Sequence, residues 1–352
     1  MTVIDSIAAQ VKHNCNISDA KYWGNYSPCG LLLRMRDLFR IEHAMKPWEG
    51  VNHKEIGVWM QQRESLWQDL EEQEYRDIQV NGKAYRPFDV KGINQEMEKL
   101  GYVYSAGYGN LLKPMFMLAG LSVKSSKGKY TIYISEREIA RDLSTSPAMI
   151  QGNTILLRRQ TMHLFFWSKF EEMKTSRCSG ALLKAFSEYG ISKDIDHRQP
   201  PEFLDRLISH ITEEELATYI HHEIGEASQR RILGRWWKEL LVSIPYSRAE
   251  LYVRSLKDIM ADTCRSGTLS HIIAHKKAGS LGFYISLLSG YRRSIFPDVL
   301  PAYEEFTKTR KWKVIEKARA EGYKRAGDRV RTLKALFDKG PVSAERIEQE
   351  FI

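Results

Sequence analysis

The chain has 352 residues, 43% of them hydrophobic, which is enough for a sizeable core in two domains or in one large domain. Its N-terminus lacks a basic stretch followed by an apolar run, and its longest apolar runs are far too short to span a bilayer. These features argue against a secretory signal and against a membrane partner, so we expect a soluble, cytoplasmic protein. The net charge of +9 is concentrated in residues 307–339, which carry twelve Lys and Arg against four Asp and Glu.

The first half of the chain contains both helical and strand patterns. Residues 14–28 are rich in turn formers and aromatics, and we predict an ordered loop there. Apolar residues then recur at helical spacing in three segments, which predicts helices at 30–45, 53–74 and 89–100. Asn81-Gly82 indicates a hairpin turn. Further strands are predicted from β-branched and aromatic residues at 102–104, 130–134 and 153–157.

From residue 159 onward the pattern is helical almost to the end of the chain. We therefore predict a mainly α, multi-helix protein with a small antiparallel β element in its first half. The predicted parts are an α+β N-terminal part with a small sheet at 1–158, a helical part rich in His, Glu and Asp at 159–306, and a basic C-terminal helical segment at 307–352.

The four cysteines are widely spaced and form no Cys-x-x-Cys pair. This spacing argues against a structural zinc knuckle, and the absence of a signal peptide argues against a disulfide framework. We expect reduced thiols, mostly buried, at Cys15, Cys29, Cys178 and Cys264.

The predicted helix at 213–241 has carboxylates where its apolar stripe should have none. Glu223 falls near the middle of the stripe, and Glu226 lies inside its edge. Burying an unpaired carboxylate costs several kcal/mol, so such a group normally has a cation, a metal or a shared proton beside it. His222 is a metal-ligand type next to both. The segment therefore predicts a site in which Glu223 and Glu226 are ligands or a general base.

The predicted helix at 30–45 repeats this feature, because Glu42 falls near the centre of its apolar face. Helical di-metal carboxylate sites direct Glu and His inward from facing helices in this way, and a mixed carboxylate and imidazole set suits iron, manganese or zinc. The two Glu-x-x-His motifs of that architecture are missing. The alternative is a structural ion pair, for which Arg63 on the next helix is a candidate partner of Glu42.

Two further pairs of ligand types are spaced one helical turn apart. Asp258 and Asp262 form one pair, and His271 and His275 form the other. Both pairs lie opposite the main apolar stripe of their helix. We expect a solvated face at each pair unless that face borders a cleft.

A Gly-x-Gly loop at residues 105–110 follows a predicted strand and precedes Lys113. Backbone N–H groups of such a loop can approach an anion, although a plain strand-to-helix turn explains the same residues. Near it in sequence, the charged groups Glu136-Arg137-Glu138, Arg141-Asp142 and Arg158-Arg159 are expected on solvated surface.

The basic C-terminal segment interleaves aromatic residues with cations. Lys311, Lys313, Lys324 and Arg325 are candidate contacts for an acidic partner, either nucleic acid bound through its phosphates or an acidic protein. The alternative is an exposed basic helix with one side packed on the body of the protein.

Several strings are similar to an uncharacterised bacterial protein family of about this length: Asn14-Cys15-x-Ile17-Ser18-Asp19-Ala20, Cys29-Gly30-Leu31-Leu32-Leu33-Arg34, Lys46-Pro47-Trp48, Ala106-Gly107-Tyr108-Gly109 and His222-Glu223-Ile224-Gly225-Glu226. The resemblance runs across the whole chain. It implies a stand-alone soluble bacterial protein, and it transfers no catalytic residues.

Three functions remain open. The first is a helical enzyme with a metal or proton-transfer site built from Glu42, His222, Glu223 and Glu226. The second is a non-enzymatic protein that binds nucleic acid or an acidic partner through its basic C-terminal segment. The third is an interaction scaffold in which these carboxylates are structural.

Overall fold

The computed structural model describes residues 2–109, 112–175, 180–193, 195 and 199–352, so Asn110 of the Gly-x-Gly loop and Cys178 lie outside the described residues. The chain divides into two compact units, Met1–Trp167 and Ser168–Ile352. None of the described helices combines the length and the apolar character that a membrane span requires.

The first unit begins with three helices, α1 (Val3–Tyr22), α2 (Pro28–Glu42) and α3 (His53–Leu70). Each has an N-cap side chain that accepts a backbone N–H, namely Thr2, Ser27 or Asn52. Helices α2 and α3 confirm the helical spacing seen in the sequence.

The prediction of a loop at 14–28 was wrong for residues 14–22, because these residues belong to α1, which continues to Tyr22. The turn-forming side chains there find partners elsewhere in the unit. Asn14 accepts from and donates to the backbone of Arg76, and Ser18 donates to the carbonyl oxygen of Pro114. Side chains bonded in this way no longer compete with the helix for its own backbone groups.

The β element is larger than predicted and is not purely antiparallel. A small hairpin pairs β1 (Ile78–Val80) with β2 (Lys83–Tyr85) through the Asn81-Gly82 turn, and α4 (Val90–Met97) follows it. A five-stranded sheet then has the order β3-β4-β5-β7-β6, in which β5 and β7 are parallel and the other neighbours antiparallel. Its strands are β3 (Tyr102–Tyr108), β4 (Pro114–Lys127), β5 (Tyr130–Arg141), β6 (Ala148–Gln151) and β7 (Thr154–Arg158).

The Gly-x-Gly loop belongs to a hairpin and not to a strand-to-helix turn. The N–H of Gly109 donates to the carbonyl oxygen of Lys113, which closes the connection between β3 and β4. The sequence reading failed here because the segment after the loop, rich in Met, Phe and Leu, fits a buried strand as well as a helix. Helices α1 and α4 cover this sheet with an apolar cluster that includes Ile7, Val11 and Ile93.

Helix α5 (Arg159–Lys174) leads into the second unit, which is helical in its described residues. It contains α6 (Gly180–Ser187), α7 (Pro201–Ser243), α8 (Arg248–Thr263), α9 (Thr268–Ala274), α10 (Ala278–Leu287), α11 (Gly290–Ile295), α12 (Val299–Thr309), α13 (Trp312–Phe337) and α14 (Ala344–Phe351).

Helix α8 lies at the centre of this unit, since Tyr252, Val253, Leu256 and Ile259 are fully buried. Buried residues of α13, including Ile315, Val330 and Leu333, share the same apolar core, so the basic C-terminal segment packs as part of this unit.

The helix predicted at 213–241 begins earlier and is broken near its end. Gly234 has φ +59° and ψ −158° inside α7, so the helix axis is interrupted there. Glycine adopts this backbone conformation without the steric cost that a Cβ brings. The carboxylates of interest lie on the first, longer part of α7.

Candidate metal centre

Helices α7 and α8 approach each other closely at Gly225. A Cβ at this position would clash with the carbonyl oxygen of Ala261 in α8. A residue without a side chain therefore sets the separation of the two helices. The residues flanking Gly225 on α7, His222 and Glu226, consequently face Asp258 and Asp262 of α8.

His222, Glu226 and Asp258 form the candidate metal centre. Each offers one ligand atom, and the three atoms lie within 4.8 Å of one another. Nε2 of His222 is 3.6 Å from Oε1 of Glu226. Two ligands that bind one ion at about 2.0–2.2 Å lie roughly 3–4 Å apart, so the spacing of His222 and Glu226 suits a shared ion.

The orientation of His222 is set by Asp262. Nδ1 of His222 lies 2.7 Å from Oδ1 of Asp262, which is 1% exposed. Asp262 is itself held by the hydroxyl of Thr268 at 3.0 Å and by Nη2 of Arg292 at 2.7 Å. A carboxylate on one imidazole nitrogen fixes the tautomer in which the other nitrogen can ligate a metal. Nε2 is thereby directed toward the candidate ligands.

The carboxyl groups in and around this centre fall into two kinds, those with a lowered pKa and those with a raised pKa. Burial raises the pKa of Asp262 and of Glu226, but charged neighbours outweigh burial and lower each pKa to about 2. For Asp262 these neighbours are His222 and Arg292, and for Glu226 they are His222 and Lys257. Both groups are therefore ionised at neutral pH. Burial lowers the pKa of His222, but these two carboxylates outweigh burial and raise it, so an ion bound at Nε2 would have to displace a proton.

Glu223 and Asp258 behave differently. Glu223 is 7% exposed, and its burial raises its pKa to about 7, with a further rise from Glu226 against the opposing effect of His222. Burial also raises the pKa of Asp258. A carboxyl whose pKa lies near neutrality can both take up and release a proton under ordinary conditions.

Lys257 and Arg292 belong to this cluster although the sequence analysis missed both. Nζ of Lys257 lies 2.6 Å from Oε2 of Glu226. Lys257 is the neighbour of Asp258, which is a weak signal in the sequence. Arg292 is separated from Asp262 by thirty positions on another helix, so no local pattern could have found it.

The expectation of a solvated face at Asp258 and Asp262 was wrong for Asp262, because that face of α8 packs against α7. In the second predicted pair, His275 is exposed as expected, while His271 is partly buried and stacks on His221. The rings of His221 and His271 are 4.3 Å apart at 14°, and those of His271 and His275 are 4.5 Å apart. These imidazoles make ring contacts beside the candidate metal centre.

Glu42 belongs to the first unit. Its carboxylate accepts from Nη2 of Arg63 at 2.6 Å and from Nε1 of Trp59 at 3.0 Å, and Nζ of Lys12 is 4.0 Å away. These contacts favour the ion-pair alternative, with Arg63 as the partner that its place on the helix indicated. We therefore leave Glu42 out of the candidate metal centre.

Comparison with known proteins identifies a family and no activity. Residues 6–158 match the N-terminal domain of a family of unknown function (DUF6866), and residues 163–352 match the C-terminal domain of the same family. The chain belongs to the DUF6866 family. No curated protein and no solved structure matches it. The match confirms the resemblance to an uncharacterised family.

The DUF6866 C-terminal domain carries both the candidate metal centre and the basic segment. On α13, Lys313 and Lys324 are exposed, and Lys311 is exposed just before the helix. Arg325 differs from these, since its Nη2 pairs with Asp298 at 2.7 Å. The opposite side of α13 is buried, as in the alternative of a basic helix packed on the body.

Proposed function

We propose that the chain is a metal-dependent enzyme whose ion is bound by Nε2 of His222 and by the carboxylates of Glu226 and Asp258. The observation that carries this proposal is the hydrogen bond from His222 to the buried Asp262, which directs Nε2 toward two carboxylates. A histidine oriented in this way is the usual arrangement of a metal-ligating imidazole. The alternative is an ion pair in which a protonated His222 lies between Asp262 and Glu226.

One imidazole and two carboxylates suit iron, manganese or zinc. Three protein ligands leave coordination positions for water or substrate, which is typical of catalytic rather than structural sites. When bound, such an ion supplies Lewis-acid activation of a ligand water or of a substrate oxygen. Arg292 holds Asp262, and Asp262 holds His222, so the imidazole is oriented before any ion binds.

Glu223 is the residue proposed to move a proton. Its carboxyl is buried beside Glu226 and Asp258, and it shares their helix interface. In that position its carboxyl oxygens can take a proton from a reacting group and return it, which is the role of a general acid and base. Glu226, with its low pKa, is suited to be a ligand and not a proton carrier.

Metal content tests this proposal without a known substrate. Protein purified without a metal-affinity tag is reconstituted separately with iron, manganese and zinc, and the bound metal is counted by elemental analysis. We expect one ion per chain. Asp258→Asn and His222→Ala should lower the affinity by at least roughly tenfold, as the loss of a ligand or of its support does.

His275→Ala is the matched control for this experiment, because His275 is exposed, contacts the ring of His271 and is not one of the three proposed ligands. It should bind metal as the unchanged protein does. If none of the three metals binds the unchanged protein, or if Asp258→Asn binds as tightly as the control, the metal proposal fails.

A second candidate function rests on the exposed face of α13. Lys313, Lys317 and Lys324 lie four and seven residues apart, and all three are exposed. This spacing places them within about 40° of one another around the helix, in a line roughly 16 Å long. We propose that this line binds the phosphates of a nucleic acid, which are contacted by exposed Lys and Arg in such complexes.

A further inference from the structure

The first unit contains a cavity of about 100 Å³ that neither proposed function uses. Its wall combines residues from the α1–α2 connection and α2, from the β3–β4 hairpin, and from the segment that follows β5. They include Tyr26, Arg34, Gly109, Lys113, Ser144 and Thr145. Pockets for drug-sized ligands measure about 300–1,000 Å³, so this cavity suits a group of only a few non-hydrogen atoms.

Arg34 contributes a positive charge to the cavity wall. Its Nη1 donates to the carbonyl oxygen of Leu143 at 3.0 Å and to the hydroxyl of Thr145 at 2.7 Å, and its guanidinium lies 4.5 Å from the ring centre of Tyr26. These partners are neutral, so they orient the guanidinium without cancelling its charge. Within the described part of the chain, no carboxylate forms an ion pair with Arg34.

Lys113 is the second cation of the wall, and it is only 5% exposed. Its Nζ lies 2.6 Å from Asp19 and 3.8 Å from Asp142. Burial lowers the pKa of Lys113, but these carboxylates outweigh burial and raise it, so the ammonium group stays charged.

The two carboxylates are themselves held by backbone N–H groups. Asp19 accepts from Leu143, and Asp142 accepts from Phe116 and Ser144. Lys113 and Arg34 are part of the lining of the cavity, and the two aspartates are not. The side of this charged cluster that meets the cavity is therefore its cationic side.

We propose that this cavity binds a small oxyanion, either inorganic phosphate or the carboxylate of a small acid, with Arg34 as the principal contact. The planar guanidinium matches the two oxygens of such a group in a bidentate pair. Lys113 lines the same space with its charge already paired to Asp19 and Asp142, and Tyr26, Ser144 and Ser146 are hydroxyl-bearing residues of the same lining. The proposal is independent of the candidate metal centre.

Calorimetric titration of the full chain tests this proposal, with inorganic phosphate in one arm and acetate in the other, in chloride buffer. We expect saturable binding in at least one arm, and the arm that binds identifies the oxyanion. Arg34→Gln should weaken binding at least roughly tenfold, as expected for a lost charge-assisted pair. Arg36→Gln on the same helix is the control, because Arg36 pairs with Asp37 and is not part of the lining.

Two further variants keep the result interpretable if Arg34→Gln unfolds. Arg34→Lys keeps the positive charge but removes the planar guanidinium that can donate to two oxygens at once. Thr145→Val removes the hydroxyl that accepts a hydrogen bond from Nη1 of Arg34. Both should weaken binding several-fold. Failure of both anions to bind the unchanged protein at millimolar concentration overturns the proposal. So does binding by Arg34→Lys and Thr145→Val that equals that of Arg36→Gln.

Discussion

Buried charges in this protein are held in place by several partners each, and Glu138 is the clearest case. Its side chain accepts from Arg158 at 2.5 Å and from the hydroxyl of Thr161 at 2.6 Å, and Arg141 lies 3.2 Å away. All four residues are buried, so the expectation of a solvated surface was wrong for Glu138, Arg141 and Arg158, whereas Glu136 and Arg137 are exposed as expected. Burial raises the pKa of Glu138, but the two guanidinium charges outweigh it and lower that pKa to about 2.

Glu138→Gln should destabilise the protein by about 3 kcal/mol at pH 7, because two buried arginines lose their counter-charge. The native pKa lies below the ordinary value of 4.5, so the ionised group stabilises the fold above pH 4.5 and this contribution is lost as the pH falls toward 2. The difference between variant and unchanged protein should therefore shrink at pH 3. Urea unfolding of the full chain at both pH values measures it.

Glu136→Gln is the matched control, since the Glu136 side chain is 50% exposed and pairs with Arg159 at the surface. Its effect should stay within about 0.5 kcal/mol at either pH. An equal loss of unfolding free energy for the two variants, or a loss for Glu138→Gln that does not depend on pH, would show that the buried ion pairs of Glu138 do not stabilise the fold.

At the scale of the elements, the distance between α7 and α8 decides whether the candidate ligands meet. His222 and Glu226 lie on α7, and Asp258 and Asp262 lie on α8. Gly225 lies between His222 and Glu226 at the point where the two helices are in contact. Alanine is about 1 kcal/mol better than glycine inside a helix. At Gly225 that gain is smaller than the cost of forcing a methyl group into the Ala261 backbone, which is typically about 1–3 kcal/mol.

Gly225→Ala should therefore lower both the free energy of unfolding and the affinity for metal, the latter at least roughly tenfold because the ligands on α7 and α8 move apart. Gly327→Ala on α13 is the control, since the nearest atom to its new Cβ would be a flexible arginine nitrogen at 3.6 Å. That variant should keep its metal affinity and gain up to about 1 kcal/mol in stability. Denaturant unfolding and metal titration of both variants decide the question, and an unchanged metal affinity in Gly225→Ala would contradict the geometry.

At the scale of the whole molecule, part of the positive charge behind the net charge of +9 is paired with acidic side chains. Several cations of residues 307–339 have acidic partners in the second unit, as the pairs Arg310–Glu188, Arg319–Glu316 and Arg325–Asp298 illustrate. The exposed lysines of α13 belong to the part of this charge that faces solvent. Arg325 is therefore a weaker candidate for partner binding than Lys313 and Lys324.

Binding of mixed RNA and DNA in a gel-shift assay tests the role of this exposed charge. Affinity should fall steeply with salt, because each neutralised phosphate releases condensed counterions. Lys313→Glu combined with Lys324→Glu should abolish the shift. Lys83→Glu combined with Lys129→Glu changes the net charge equally at exposed positions of the first unit and should keep it. Equal weakening by both double variants, or no shift of the unchanged protein at low salt, would refute a phosphate-binding face.

The sequence by itself determined several of the helical segments and the apolar stripe along each of these. Helical spacing predicted α2 and α3, and it placed Glu223 on an apolar stripe, where the structure finds it buried. The Asn81-Gly82 dipeptide predicted its hairpin. These features depend on residues only a few positions apart, so local spacing and turn chemistry are sufficient to predict them.

Only the tertiary structure decided which groups meet. The parallel pairing of β5 with β7 and the burial of Asp262 against His222 join residues that are distant in the chain. Periodicity shows the apolar stripe of one helix, but it does not show which neighbour packs on the opposite face. Partners such as Arg292 are set by packing across helices, so both the ligand set and its charges follow from the fold and not from any local pattern.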